Sequence, residues 1–259
     1  GGKRVRFKQC IFAQPKVRKI TAGRVPLASV LIDTPEDAEN PPEVFFEECY
    51  FESDLSTGGG QVAIAINGAA TVHVNSCAFR PHAALFSFRD KCTLELTKLN
   101  VKNCAAFVET GPAFRFGKSA MTDKAAAAGV RVQGSAFLRP GRGLGSDVTG
   151  QTGLIFLDGA ARVHFHGRQN LYAHLNGLVE RKAEAEVIDK YDDFKSFLAS
   201  NKGSDDDSTF IDQREKKNPL VLLSPQLSAE DYVLAFQLKA PYHQSFGLVR
   251  DWHGKDMPG

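Results

Sequence analysis

The chain has 259 residues, is 42% hydrophobic and 24% charged, and carries a formal net charge of +2. That composition excludes wholesale disorder, and the flat charge argues against a dedicated nucleic-acid binder. No stretch reaches the ~18–20 uncharged apolar residues of a membrane helix, and none reads as a signal peptide. The start at Gly1-Gly2-Lys3 and the stop at Asp256-Met257-Pro258-Gly259 read as the ends of a piece excised from a longer protein.

From the N-terminus, short alternating runs recur. Residues 5–12, 44–51, 72–79 and 130–137 all fit the template V-x-[FV]-x-x-[CS]-x-F, and residues 99–107 are a looser copy. The template places Cys10, Cys49, Cys77, Cys104 and Ser135 at one equivalent point. A disulfide framework does not repeat one cysteine per unit, and a zinc site favours C-x-x-C pairs. These residues therefore read as small buried side chains stacked in successive layers. A second repeat relates residues 64–74 to 155–165, identical at six of eleven positions, each a strand, a tight Asn-Gly or Asp-Gly turn and another strand.

Period-two strands recurring every 27–39 residues, with Gly-rich corners between them, point to a solenoid built from strands. The expected fold is mainly β: a right-handed parallel β-helix of about six coils over residues 1–185. Insertions are expected at residues 33–42 and 118–129. Residues 186–200 carry Val187, Ile188, Tyr191, Phe194, Phe197 and Leu198 at helical spacing and stop at Asn201-Lys202-Gly203. Residues 203–218 read as a polar loop, and 219–224 and 232–238 as short strands. Residues 186–259 are expected to cap the same solenoid, giving one domain overall.

At this point the chain resembles the pectin-lyase-like parallel β-helices, and within them the β-helix domains attached to planctomycete serine/threonine protein kinases. The resemblance rests on Cys77-Ala78-Phe79 with Ala83-Ala84-Leu85-Phe86-Ser87-Phe88, on Gly167-Arg168-Gln169-Asn170-Leu171-Tyr172, and on Tyr191-Asp192-Asp193-Phe194 with Asn218-Pro219-Leu220. It implies a non-catalytic accessory or sensor module of a kinase, on the extracytoplasmic side of a membrane protein, taking a glycan or protein ligand. Kinase machinery is missing from the sequence: Phe88-Arg89-Asp90 lacks the downstream Asn of a catalytic loop, and no D-F-G occurs. The alternative implied by the fold is a polysaccharide lyase or glycoside hydrolase working on the outer face of one sheet.

Alternation sends Arg6, Lys8, Phe45, Glu47, His73, Asn75, Glu95, Thr97, Arg131, Gln133, His164 and His166 outward. His73, Arg131, His164 and His166 are the binding candidates. Glu47, Glu95 and Arg131 from adjacent coils are the weak catalytic candidates, since no strand carries two outward carboxylates at i, i+2. His164 and His166 share a face and are weak metal candidates, with His73 joining if coils align. Asp205 and Asp207 are weak calcium candidates, although the D-x-D-x-D-G alternation is missing. Gly141-Arg142-Gly143-Leu144-Gly145 reads as a corner rather than a phosphate loop. No cofactor is expected. Residues 1–24 hold eight Lys or Arg and no acid, whereas residues 25–79 hold no Lys or Arg. In a solenoid that places a basic coil beside an acidic one, or leaves a basic patch for an anionic partner.

Overall fold

Strands that alternate apolar and polar side chains bury one face and wet the other, and a solenoid closes such strands around one core. A computed structural model describes residues 3–13, 27–36, 38–52, 61–80, 82–108, 111–118, 125–139, 153–212, 220–221 and 237–238. It is a parallel β-helix with three sheets of seven strands each.

The first sheet stacks Arg4–Lys8, Glu43–Glu47, Ala70–Asn75, Thr97–Lys102, Ala127–Gln133, Arg162–Arg168 and Ser204–Asp206. The second stacks Ile11–Ala13, Tyr50–Glu52, Ala78–Phe79, Ala105–Phe107, Ala136–Leu138, Leu171–Ala173 and Thr209–Ile211. The third stacks Leu27–Asp33, Gln61–Asn67, Ala84–Phe88, Phe114–Phe116, Gly153–Leu157 and Gly177–Arg181, closed by the antiparallel strand Glu186–Ile188. These make six complete coils and the first two sides of a seventh.

Like residues stack on like across coils. On the first sheet Val44, Val72, Leu99, Val130 and Phe165 form one inward row, and Phe46, Val74, Val101 and Val132 another. Rings pile up on the second and third sheets: Phe51 on Phe79 at 4.6 Å between centroids, Phe88 on Phe116 at 4.5 Å, Phe86 on Phe114 at 5.4 Å. Each buried ring contributes roughly 2–3 kcal/mol of transfer free energy, and offset stacking adds about 0.5–1.5 kcal/mol. Most of the 19 Phe of the sequence lie in this core or pack against it.

The corner from the first sheet to the second is always two residues long. Its first residue has positive φ in all seven coils: Gln9, Glu48, Ser76, Asn103, Gly134, Gln169 and Asp207, between 52° and 56°. The second is Cys10, Cys49, Cys77, Cys104, Ser135, Asn170 and Ser208. This row is a hydrogen-bonded ladder. The Cys49 amide donates to Cys77 Sγ at 3.4 Å, the Cys77 amide to Cys104 Sγ at 3.4 Å, and the Cys104 amide to Ser135 Oγ at 3.1 Å. The Ser135 amide then donates to Asn170 Oδ1 at 3.0 Å, and the Asn170 amide to Ser208 Oγ at 3.0 Å. All five cysteines are free thiols, and the four of this row mark layers, as their spacing indicates.

The helix spans Tyr191–Ser200, shorter at its start than the expected 186–200. Val187 and Ile188 instead belong to the antiparallel strand on Gly177–Arg181. Asp192 and Asp193 lie in the helix's first turn, where negative charge suits the macrodipole. Phe194 and Leu198, four residues apart, are fully buried, and Phe194 meets the edges of Phe165 and Tyr172 at 6.1 and 6.2 Å. The helix thus lies over the end of the core at the sixth coil. Its stop falls at Lys202, whose φ is +56°, and the Gly203 amide donates to the Leu198 carbonyl at 2.8 Å. Residues 203–218 are not simply a loop: Ser204–Asp206 and Thr209–Ile211 extend the first two sheets. Leu220–Val221 pairs antiparallel with Gln237–Leu238, within the two expected strands. The Gly-rich stretch 141–145 lies outside the described residues.

Candidate functional site

Register fixes what the outer face of the first sheet presents. Its central row is Arg6, Phe45, His73, Asn100, Arg131, His166 and Ser204. On one side run Arg4, Glu43, Thr71, Lys98, Gly129 and His164, and on the other Lys8, Glu47, Asn75, Lys102, Gln133, Arg168 and Asp206. Successive residues in a row are about 4.8 Å apart, and neighbouring rows about 6–7 Å.

The face divides into two halves. Over coils one to three, charge is internally matched. Arg4 Nε donates to Glu43 at 2.7 Å, His73 Nε2 lies 3.2 Å from the other Glu43 oxygen, and Arg6 Nε sits 3.7 Å from Glu47. Phe45 is sandwiched, with His73 stacked on it at 4.6 Å and 7° and the Arg6 guanidinium 5.2 Å from its centroid. The basic first coil meets the acidic second one, as the segregated charges indicate.

Over coils four to six the balance is different. Lys98, Lys102, Arg131, Arg162 and Arg168 are all exposed. Among the described residues none of the five lies within ion-pair distance of a carboxylate, and no acid occurs on this face between Glu47 and Asp206. Among them stand Asn100, Gln133, His164 and His166. Against the opposing charge of Asp206, burial, Arg131 and His164 together hold the His166 imidazole below its ordinary pKa, which favours the neutral ring. The His166 ring also contacts Ser204 Oγ at 3.3 Å.

Several sequence expectations change here. Thr97 points inward, is fully buried, and donates to the Gly68 carbonyl at 2.9 Å. Glu95 lies in the turn before that strand and not on the sheet. The outward residues of this coil are Lys98, Asn100 and Lys102. Glu47 and Arg131 stand three coils apart, about 14 Å, so Glu47, Glu95 and Arg131 do not converge. His73 shares a row with His166 but is likewise three coils away, and joins neither His164 nor His166. Among the described residues no group of three His, Cys, Asp or Glu is placed to hold a metal ion.

Asp205 and Asp207 also part company. Asp207 is an exposed positive-φ corner residue. Asp205 is inward, 6% exposed, and accepts from Ser208 Oγ at 2.7 Å, Tyr191 Oη at 2.8 Å and Tyr172 Oη at 3.3 Å. It is a core carboxyl consumed by its neighbours. The structure brings together Arg131, His164 and His166 of the binding candidates. The sequence reading missed Lys98, Lys102, Arg162 and Arg168; the signal for Arg168 was its place at i+2 from His166. Comparison with family models, curated proteins and solved structures gives no match for this chain.

Proposed function

We propose that this β-helix is a non-catalytic interaction module that binds an anionic polysaccharide along the first sheet, over coils four to six. The carrying observation is the grid of Lys98, Lys102, Arg131, Arg162 and Arg168, none of them ion-paired among the described residues and bordered by Asp206 beside Arg168, mounted on a sheet whose register is fixed by the stacked core. Such a single-sign surface concentrates polyanions. Asn100, Gln133 and the uncharged His166 add the donors and acceptors that sugar hydroxyls need. The kinase-associated β-helices that the chain resembles support an accessory, ligand-binding role for the domain beside a serine/threonine kinase.

Titration calorimetry with polygalacturonate and with a neutral glucan of equal length tests the reading. Binding to the uronate alone, weakened at least tenfold in Arg131→Glu/Arg168→Glu and falling with added salt, is the expected result. Equal binding of the neutral glucan, or an unchanged double variant, rejects it. Release of unsaturated uronide from the polymer replaces it with the lyase reading.

A further inference from the structure

The corner ladder begins with a pair of thiols that the glycan reading does not use. Cys10 and Cys49 occupy the same position of coils one and two: Lys8 pairs with Glu47 and Ile11 with Tyr50 on either side of them. The Tyr50 amide donates to the Cys10 carbonyl at 2.9 Å, which pins this corner of the two coils together. The two α-carbons are therefore about one strand spacing apart, about 4.8 Å, inside the 4.4–6.8 Å span of disulfides. Cys10 is partly exposed, whereas Cys49, Cys77 and Cys104 are buried.

We propose that Cys10 and Cys49 form a peroxide-responsive dithiol site, with Cys10 the residue oxidised first and Cys49 the residue that resolves it. The Cys10 thiolate attacks one peroxide oxygen and the O–O bond breaks. Cys10 becomes a sulfenic acid and the other oxygen leaves as hydroxide. The Cys49 thiolate then attacks the sulfenic sulfur, the S–O bond breaks, and a second hydroxide leaves as the disulfide forms. Two thiols and one hydrogen peroxide yield one disulfide and two waters, the thiol protons neutralising the hydroxides. Exposure selects Cys10 for the first step, because it is the one thiol of the row that is not buried. Cys49 is suited to the second: hydrogen bonding from Cys77, then from Cys10, brings its pKa down to about 7 against the opposing effect of burial. Deeper in the row, burial pushes the Cys77 thiol up and keeps it inert. The disulfide staples the first coil, whose first two strands are mostly exposed, to the second.

Serine is already the ladder residue at Ser135 and Ser208, so serine variants of the cysteines fit the stack. The domain is exposed to stoichiometric hydrogen peroxide, alkylated under denaturing conditions and peptide-mapped. Loss of two of the five thiols, a Cys10–Cys49 linked peptide, and restoration by dithiothreitol are expected. Cys49→Ser is expected to accumulate dimedone-reactive Cys10 without a cross-link, and Cys10→Ser to keep all four remaining thiols. Cys10 oxidised to sulfinate beside an alkylatable Cys49, a Cys10 disulfide between two chains, or no thiol loss in the parent protein overturns the proposal. None of these outcomes depends on glycan binding.

Discussion

Gly167 and Asp205 are register partners on the inward row of the first sheet, and the carboxylate of Asp205 occupies the space that a side chain on Gly167 would take. The row runs Phe46, Val74, Val101 and Val132 before reaching this pair, so the apolar ladder ends in a missing side chain capped by a charged one. A β-carbon on Gly167 would collide with Asp205 and reach the Tyr172 hydroxyl. Gly167→Ala is expected to destabilise the domain by about 1–3 kcal/mol, the usual range for overpacking, measured by urea unfolding. Retained stability in that variant shows that the seventh coil yields.

Asp205 also sets a pH dependence. Burial raises its carboxyl above the ordinary 3.8, opposed by hydrogen bonds from Ser208, Tyr191 and Tyr172. A carboxyl whose folded pKa is raised adds stability that is fully present below the unfolded value and lost as pH climbs through the folded one. The difference in unfolding free energy between the parent and Asp205→Asn should therefore shift in the parent's favour on acidification towards pH 4. A difference that is flat with pH contradicts the assignment.

His82 works in the opposite sense. It is 2% exposed, its Nδ1 sits 2.6 Å from the Arg80 carbonyl, and its Nε2 has no hydrogen-bond partner among the described residues. Burial, outweighing that contact and assisted by the Arg80 charge, lowers its pKa from 6.5 to about 4. Below pH 6.5 the unfolded chain takes up a proton that the folded one refuses, so stability falls progressively towards pH 4, by roughly 3 kcal/mol. His82→Gln is expected to flatten the unfolding profile between pH 6.5 and 4, while leaving the Asp205 contribution in place. An unchanged slope in this variant rejects the role.

Asn170 carries the ladder past its sulfur section. Its Oδ1 accepts from the Ser135 amide, and its Nδ2 donates to the Val132 carbonyl at 3.1 Å and reaches Tyr172 Oη at 3.2 Å. Asn170→Ala orphans a buried amide and a buried carbonyl and is expected to cost about 3 kcal/mol. Asn170→Ser, which repeats the arrangement by which Ser135 accepts from the Cys104 amide, is expected to recover part of that loss. Equal stability of the two variants in chemical denaturation contradicts the ladder's energetic role.

Much of the fold was legible because inward residues of one type repeat at one position of each coil. The Cys row and the alternating Val and Phe gave the coils, and even the odd cysteine count fits, since Cys92 sits at a separate corner bonded to the Ile66 carbonyl. Thr97 went astray because Glu95 and Leu96 continue the alternation backwards through a turn. The helix start was misplaced because Val187 and Ile188 satisfy both a strand and a helical stripe. Asp205 was illegible for a deeper reason: a buried carboxyl surrounded by other acids looks like solvated loop until Tyr172, Tyr191 and Ser208 are brought around it. The basic face was hidden because its five cations come from three segments, joined only by register.

The two-residue corner between the first and second sheets has a consequence for how such a chain diversifies. The other two corners differ in length from coil to coil, whereas this one is constant from Gln9-Cys10 to Asp207-Ser208. Insertions or deletions elsewhere are absorbed locally, because each coil is re-indexed at the next positive-φ residue and the ladder side chain that follows it. Loops can be exchanged around two edges of the prism without disturbing the cation lattice beside the third. In this architecture, indel-tolerant variation and a surface of fixed spacing coexist on one stretch of chain.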